Sequence, residues 1–159
     1  MTVIAGQDVA PFDIDATEAW WLVPERLFDG ETLDTGRAVR IVAGRIDDLH
    51  PAAEAGRDDL PVWRTNGLAS PGFFDVQVNG GGGVMVNGTP TADGLRAIAA
   101  AHRPGGTTAI LPTLITDAPE VMEKAVSAVI AAVGRDGIVG VHLEGPHISV
   151  ERKGAHNPR

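Results

Sequence analysis

Three groups of polar residues stand at the ends of otherwise apolar runs, and their types limit what chemistry they could do. The first is Asp75, Gln77 and Asn79, followed by four glycines at 80–83. Alternate spacing on a strand puts the three side chains on one face. Gln77 and Asn79 are neutral amides, suited to a substrate carbonyl or hydroxyl and poorly suited to zinc. The glycine block has neither the Lys-Ser/Thr of a phosphate loop nor the spacing of a dinucleotide fingerprint. It reads as a tight strand-to-helix turn or as a close approach to a ligand. The second group, Thr113, Thr116 and Asp117, offers hydroxyls and a carboxylate; Thr116 and Asp117 read as capping groups.

The third group is the most informative: His142, Glu144 and His147, then Lys153-Gly154-Ala155-His156. Alternation puts His142 and Glu144 on the same side of a strand, with Glu144 at its end. An acid on an apolar strand is costly unless it is paired or bound to a metal. Glu144 is therefore a candidate metal ligand or acid-base group, with a buried salt bridge as the alternative. His142 is placed to pack beneath it as an outer hydrogen-bonding partner. His156, in a loop beyond the strand, is a candidate for ligand contact. His50, His102 and His147 read as structural, His102 near a helix end where the dipole favours it.

The elements that position these groups follow from periodicity. Residues 20–23, 38–42 and 45–49 read as short strands, with Ala43-Gly44 as a turn and residues 49–60 as a polar connector without evident chemistry. Trp20 and Trp21 read as packing within this β-rich part. Beyond Ser70-Pro71-Gly72 the pattern changes: residues 73–78 form an apolar run typical of a buried parallel strand. A helix is expected over 91–103 and a strand over 107–111. A second helix should begin at Asp117 as N-cap, with Pro119 in its first turn and Val121, Met122, Ala125, Val126, Val129, Ile130 and Val133 at helical spacing before Gly134. A third strand is expected over 138–143. The order βαβαβ implies parallel strands with right-handed crossovers, as in the opening of a barrel or of a doubly wound sheet. In both, functional groups lie at the carboxyl ends of the strands.

Composition sets the outer bounds. The 159 residues are 43% hydrophobic and 21% charged, enough apolar material for a core. A net charge of −8 excludes a nucleic-acid footprint, although a few local cations would still serve an anionic sugar phosphate. With no cysteine, any metal must be held by His, Asp or Glu. Neither a basic leader nor an apolar stretch of about 18 residues is present, so no membrane partner and a cytoplasmic location are expected.

The runs Pro71-Gly72-Phe73-Phe74-Asp75-Val76-Gln77-Val78-Asn79-Gly80, Gly106-Thr107-Thr108-Ala109-Ile110-Leu111-Pro112-Thr113-Leu114-Ile115-Thr116 and His142-Leu143-Glu144-Gly145-Pro146, with Lys153-Gly154-Ala155-His156, resemble the N-acetylglucosamine-6-phosphate deacetylase family of amidohydrolases. The likeness covers residues 71–157. It implies an α/β fold: an incomplete (β/α)8 TIM barrel, its first three βα units at residues 67–159, preceded by a small β-sandwich segment at residues 1–66. A whole barrel takes about 250 residues, so a chain ending at Arg159 is expected to be an N-terminal fragment, poorly soluble or partly folded alone.

By the same resemblance Glu144 is a ligand of a divalent metal, with zinc expected at one ion per active site. Ala155 and His156 contact the sugar, and Asn79 is a further substrate-binding candidate. Where many amidohydrolases carry His-x-His, this chain has Gln77-Val78-Asn79, which resembles the single-metal branch. The implied reaction is hydrolysis of N-acetyl-D-glucosamine 6-phosphate to the free amine and acetate, in amino-sugar catabolism. The ion would polarise the amide carbonyl and lower the pKa of a water toward about 7. The general-base Asp and two histidine ligands are expected beyond Arg159, so the full ligand set is absent and the chain alone is expected to be inactive. A homodimer is implied as well. The alternatives are another amidohydrolase, such as an N-acetylgalactosamine-6-phosphate deacetylase or a cyclic amidase, and a non-catalytic α/β remnant.

Overall fold

A computed structural model describes residues 2–4, 18–154 and 156. The chain forms two compact units, Met1–Pro71 and Gly72–Arg159. The boundary expected between residues 66 and 67 falls inside the strand Val62–Ser70. That strand is hydrogen-bonded into the first sheet along its length, so the division comes after it.

The first unit holds β1 (Thr2–Ile4), β2 (Ala19–Phe28), β3 (Leu33–Thr35), β4 (Arg37–Val42), β5 (Arg45–Pro51) and β6 (Val62–Ser70). They make a mixed six-stranded sheet in the order β1-β6-β2-β4-β5, with β3 also on β2. The β4–β5 hairpin turns on Ala43 and Gly44, at φ 49° and 71°. Positive φ at both central residues is what a two-residue hairpin matched to strand twist requires. Asp29 shapes the β2–β3 turn by accepting from the amides of Glu31 and Thr32, each at 2.8 Å.

Alternate residues of β2 enter two clusters. Trp20, Leu22 and Leu27 pack with Val39, Ile41 and Ala69, and Trp20 lies 6.1 Å from Trp63 between ring centroids. Trp21 and Val23 pack with Ala38, flanked by Ala52, Ala55, Leu60 and Val62. The connector at 49–60 is thus part of the packing, and it contains a short 3₁₀ turn at Ala52–Glu54.

The second unit holds β7 (Phe73–Val78), β8 (Gly80–Gly81), β9 (Val84–Met85), α1 (Ala92–His102), β10 (Thr107–Ile115), α2 (Pro119–Ala132) and β11 (His142–Glu144). Strands β7, β10 and β11 form an all-parallel sheet with β10 in the middle. Strands β8 and β9 make a small hairpin. Leu95, Ile98 and Ala99 of α1 and Ala125, Ala128, Val129 and Ala132 of α2 fall at helical spacing. They bury against Val78, Ile110, Leu114 and Ile138 from the sheet side. Thr91 caps α1, its hydroxyl accepting from Gly94 N at 3.1 Å.

Several elements differ from expectation. Strand β10 continues past residue 111 to Ile115, and β7, read as a buried strand, leaves Phe73, Phe74 and Val76 more than half exposed. The N-cap of α2 is Ala118, with no side-chain cap; Asp117 stands one residue earlier and accepts from Ala118 N at 2.8 Å. The third strand starts at His142. Ile138 makes only an isolated bridge to Ile110, and the pairing resumes one residue out of step at Thr113 and His142. Pro112 has no amide hydrogen to give between those two points, and Gly140 lies opposite the break. Among the described residues, no helix is long and apolar enough to cross a membrane.

Candidate functional site

The carboxyl ends of β7, β10 and β11 bring the polar residues together. Residue 144 pairs in register with Ile115, and His142 with Thr113. His142 Nδ1 lies 3.4 Å from the Thr113 hydroxyl, and Thr113 is fully buried, so His142 is anchored to β10. Glu144 meets three partners. Gln77 Nε2 donates to its Oε2 at 3.2 Å. His156 Nε2 lies 3.3 Å from its Oε1, with the two side chains 16% and 32% exposed. The Thr116 hydroxyl donates to its main-chain oxygen at 3.1 Å.

Thr116 also meets His156, whose Nδ1 is 3.1 Å from Oγ1. Gly145 stands against it: its φ is +108°, and a Cβ there would fall on the Thr116 hydroxyl. Lys153 Nζ donates to the main-chain oxygen of His156 at 3.3 Å, which holds the loop's return.

The first strand's face is ordered from within. Asp75 accepts from Gln77 N at 3.0 Å. Asn79 O accepts from Val86 N at 2.9 Å, while its Nδ2 is buried without a partner. The glycine block makes the turn between β8 and β9, with Gly82 and Gly83 at φ 59° and 80°. Gly81 lies against the end of α1, where a Cβ would stand 2.8 Å from His102 Nε2. That nitrogen is 3.0 Å from Gly80 O, so His102 pins the glycine hairpin.

Of the sequence-derived site residues, the structure brings Glu144 and His156 into contact. Asn79 ends the neighbouring strand region with no side-chain partner. Ala155 lies outside the described residues. His147 is exposed. Gln77 and Thr116 are more deeply involved than their types announced, and Asn87 gave no sequence signal at all. Its Nδ2 donates to Ile115 O at 3.0 Å and to Asp117 Oδ2 at 2.7 Å, while its Oδ1 accepts from Ile115 N at 3.2 Å. The Asn87 bond, helped by Ala118 N, holds the Asp117 carboxyl below its ordinary value of 3.8.

As a metal centre the described residues are incomplete. No three of their His, Asp or Glu side chains converge on one point. A catalytic zinc normally takes three protein ligands. Glu144 and its neighbour His156 make two groups.

The polar cluster at the carboxyl ends of three parallel strands, backed by two helices, defines the class: an α/β protein of the kind that builds enzyme sites at strand ends. No family model matches the chain. It is 52% identical over 103 residues to an N-acetylgalactosamine-6-phosphate deacetylase of Shewanella sp. (strain ANA-3), covering 63% of this chain and 26% of that protein. It is 36% identical over 111 residues to the N-acetylglucosamine-6-phosphate deacetylase of Danio rerio, covering 67% of this chain and 28% of that one. The structure is similar to an N-acetyl-D-glucosamine-6-phosphate deacetylase mutant from Mycobacterium smegmatis in complex with N-acetyl-D-glucosamine 6-phosphate. The TM-score is 0.74 at 32% identity, over 89% of this chain and 36% of that one. Over the part it spans, the chain is homologous to the N-acetylglucosamine- and N-acetylgalactosamine-6-phosphate deacetylases, a family of hydrolytic enzymes. It spans about a quarter of the length of these curated relatives.

Proposed function

We propose that this chain contributes one side of the site of a metal-dependent deacetylase that hydrolyses the acetamide of an N-acetylhexosamine 6-phosphate, giving the free amine and acetate. The observation that carries this reading is the meeting of Glu144 with Gln77 and His156 at the strand ends. In the same reading, β7, β10 and β11 open a (β/α)8 barrel and the six-stranded sheet belongs to a flanking β-sandwich. A homodimer and a cytoplasmic location belong to it as well.

Glu144 is assigned as one ligand of a divalent ion, whose chemistry when bound is to draw electron density from the amide carbonyl. This chain's own residues hold and orient. Gln77 fixes one carboxylate oxygen of Glu144 and leaves the other turned to His156. His156 offers an imidazole edge to the sugar, and the unpartnered Asn79 amide is a donor for a substrate oxygen. The proton transfers belong to an aspartate outside residues 1–159. Glu144→Gln in the protein at its natural length should cut deacetylation by at least about 100-fold and lower the bound metal measured by elemental analysis. Unchanged metal content would remove Glu144 from the ligand set. The 159-residue chain alone should release no acetate.

The 52% identity to an N-acetylgalactosamine-6-phosphate deacetylase favours a second reading of the substrate, the galacto epimer. Comparing kcat/KM on the two epimers decides between them.

A further inference from the structure

Asparagine followed by glycine occurs at residues 66–67, 79–80 and 87–88. The pair is chemically reactive, because glycine has no side chain to shield its amide and lets the backbone turn toward the asparagine carboxamide. The fold holds two of these pairs fast. Asn79 has its Nδ2 buried and its main-chain oxygen bonded to Val86 N, and Gly80 pairs with Met85 while its own oxygen lies 3.0 Å from His102 Nε2. Asn87 is held by three side-chain bonds, and the Gly88 nitrogen itself donates to Met85 O at 3.1 Å.

The third pair is left open. Asn66 is exposed, and its side chain takes no hydrogen bond among the described residues. The β2–β6 pairing steps from Pro24 and Thr65 to Arg26 and Leu68, so Asn66 and Gly67 together oppose Glu25. Two residues against one is a β-bulge, where the ladder is locally disrupted. On the other side of the strand, β1 pairs only with residues 68–70. We propose that Asn66–Gly67 is a site of spontaneous modification, where the asparagine converts to aspartate and isoaspartate and the isoaspartate form weakens the first sheet.

The Gly67 nitrogen, giving its proton to water, attacks Asn66 Cγ. The Cγ–Nδ2 bond breaks, and the nitrogen takes up a proton from solvent and leaves as ammonia. Water then opens the resulting five-membered imide, at Cγ to give aspartate or at the main-chain carbonyl to give isoaspartate. One water enters and one ammonia leaves, with no change of oxidation state. Either product puts a carboxylate where a neutral amide stood, on the face that alternation gives to the exposed Arg64. Isoaspartate also adds a carbon to the main chain shortly before Ala69, which packs with Trp20 and Leu22, and so upsets the register of that face.

The test is peptide mapping of the protein at its natural length, aged folded in mildly alkaline buffer and, in parallel, unfolded in urea. The tryptic peptide 65–96 carries all three pairs, so each serves as internal standard for the others. Fragmentation assigns the converted residue and tells isoaspartate from aspartate. A held site reacts only after local opening, so in the folded protein Asn66 should convert at least about tenfold faster than Asn79 or Asn87. In urea the three rates should converge. The proposal is overturned if Asn79 or Asn87 keeps pace with Asn66 in the folded protein, or if Asn66 converts in urea only. A rate difference that persists in urea also overturns it, by tracing the difference to sequence and not to the fold. An Asn66→Gln form aged alongside should stay intact at position 66 and keep its urea midpoint, while the aged parent falls below its fresh sample. A parent midpoint that holds while isoaspartate accumulates refutes the weakening of the sheet. If the glutamine form does not fold, aged and fresh parent decide both points.

Discussion

Gln77 and Glu144 sit on strands that are not neighbours, with β10 between them, yet Gln77 Nε2 donates to Glu144 Oε2 at 3.2 Å. Strands two places apart in a sheet are separated by roughly 9–10 Å. The bond therefore requires both long side chains to extend over the same face of β10. Side chains of alternate strands meet in this way inside parallel barrels. One result is that the orientation of the Glu144 carboxylate is set from β7, at the opposite edge of the sheet.

Gln77→Glu tests that geometry through pH. It places a second carboxylate about 3 Å from the first, and two like charges this close cannot both ionise without cost. One of the pair then has a folded-state pKa above its unfolded value. Such a group stabilises below the unfolded value of about 4 and loses that contribution as pH rises. With chelator present, the variant should be less stable than the parent by about 1 kcal/mol or more at pH 7, with the deficit closing near pH 4. Urea unfolding at both pH values measures it. Equal stability at pH 7 would mean that the side chains do not meet.

Asn87→Ala should cost about 1–3 kcal/mol, because the N–H and C=O of Ile115 lose their partner in a half-buried place. It should also let the Asp117 carboxyl rise toward 3.8, since the Asn87 bond is the largest cause of its depression. The sign follows: a depressed folded pKa gives stability that is present above about pH 4 and is lost as pH falls through the folded value. The variant's stability should be flatter across that window, and carboxyl titration by NMR reads the shift directly. An Asp117 that titrates unchanged would show that Ala118 N alone sets it.

Local rules carried the two helices and the placement of polar residues at strand ends. Of the face read for α2, Ala125 and Val129 are buried, whereas Ile130 and Val133 are 70% and 46% exposed and Ala128 and Ala132 take the inner places. Alternation puts His142 on the side of Glu144, but its ring meets Thr113. What was illegible depends on partners far away in the chain. Strand β6 breaks its apolar pattern at Arg64, Thr65, Asn66 and Gly67; β2 pairs with Arg64 and Thr65 and again from Leu68 across a register shift, and β1 adds a second side only at 68–70. Asp117 looks like an N-cap until Asn87, 30 residues earlier, takes its carboxylate. Thr116 has the same local look and a different use, because Gly145 and His156 arrive beside it only in the folded chain.

In the first unit, Trp21 Nε1 donates to Asp58 Oδ1 at 2.8 Å, and this bond is the first cause holding the Asp58 carboxyl below 3.8. Trp21→Phe keeps most of the buried ring and removes only the donor. Asp58 should then titrate at a higher pH, visible in its side-chain carboxyl resonance, while the core around Val23 and Ala38 is kept. A carboxyl that does not move would assign its depression to Leu60 N and Arg40 instead.

Gly145→Ala and Gly134→Ala together separate backbone strain from crowding. Both glycines have positive φ, at +108° and +80°, where an L side chain is strained whatever the space. A Cβ added at Gly134 would have nothing within 4 Å, so its substitution should cost only the conformational penalty, about 1–2 kcal/mol. At Gly145 the new methyl would also occupy the place of the Thr116 hydroxyl and push it from Glu144 O. Its cost by urea unfolding should exceed that at Gly134 by at least about 1 kcal/mol, the scale of a lost hydrogen bond and an overpacked contact. Adding Thr116→Ser should not relieve the excess, because serine keeps the oxygen. Adding Thr116→Ala, which removes it, should. Equal costs at the two glycines would mean that Thr116 does not stand against Gly145.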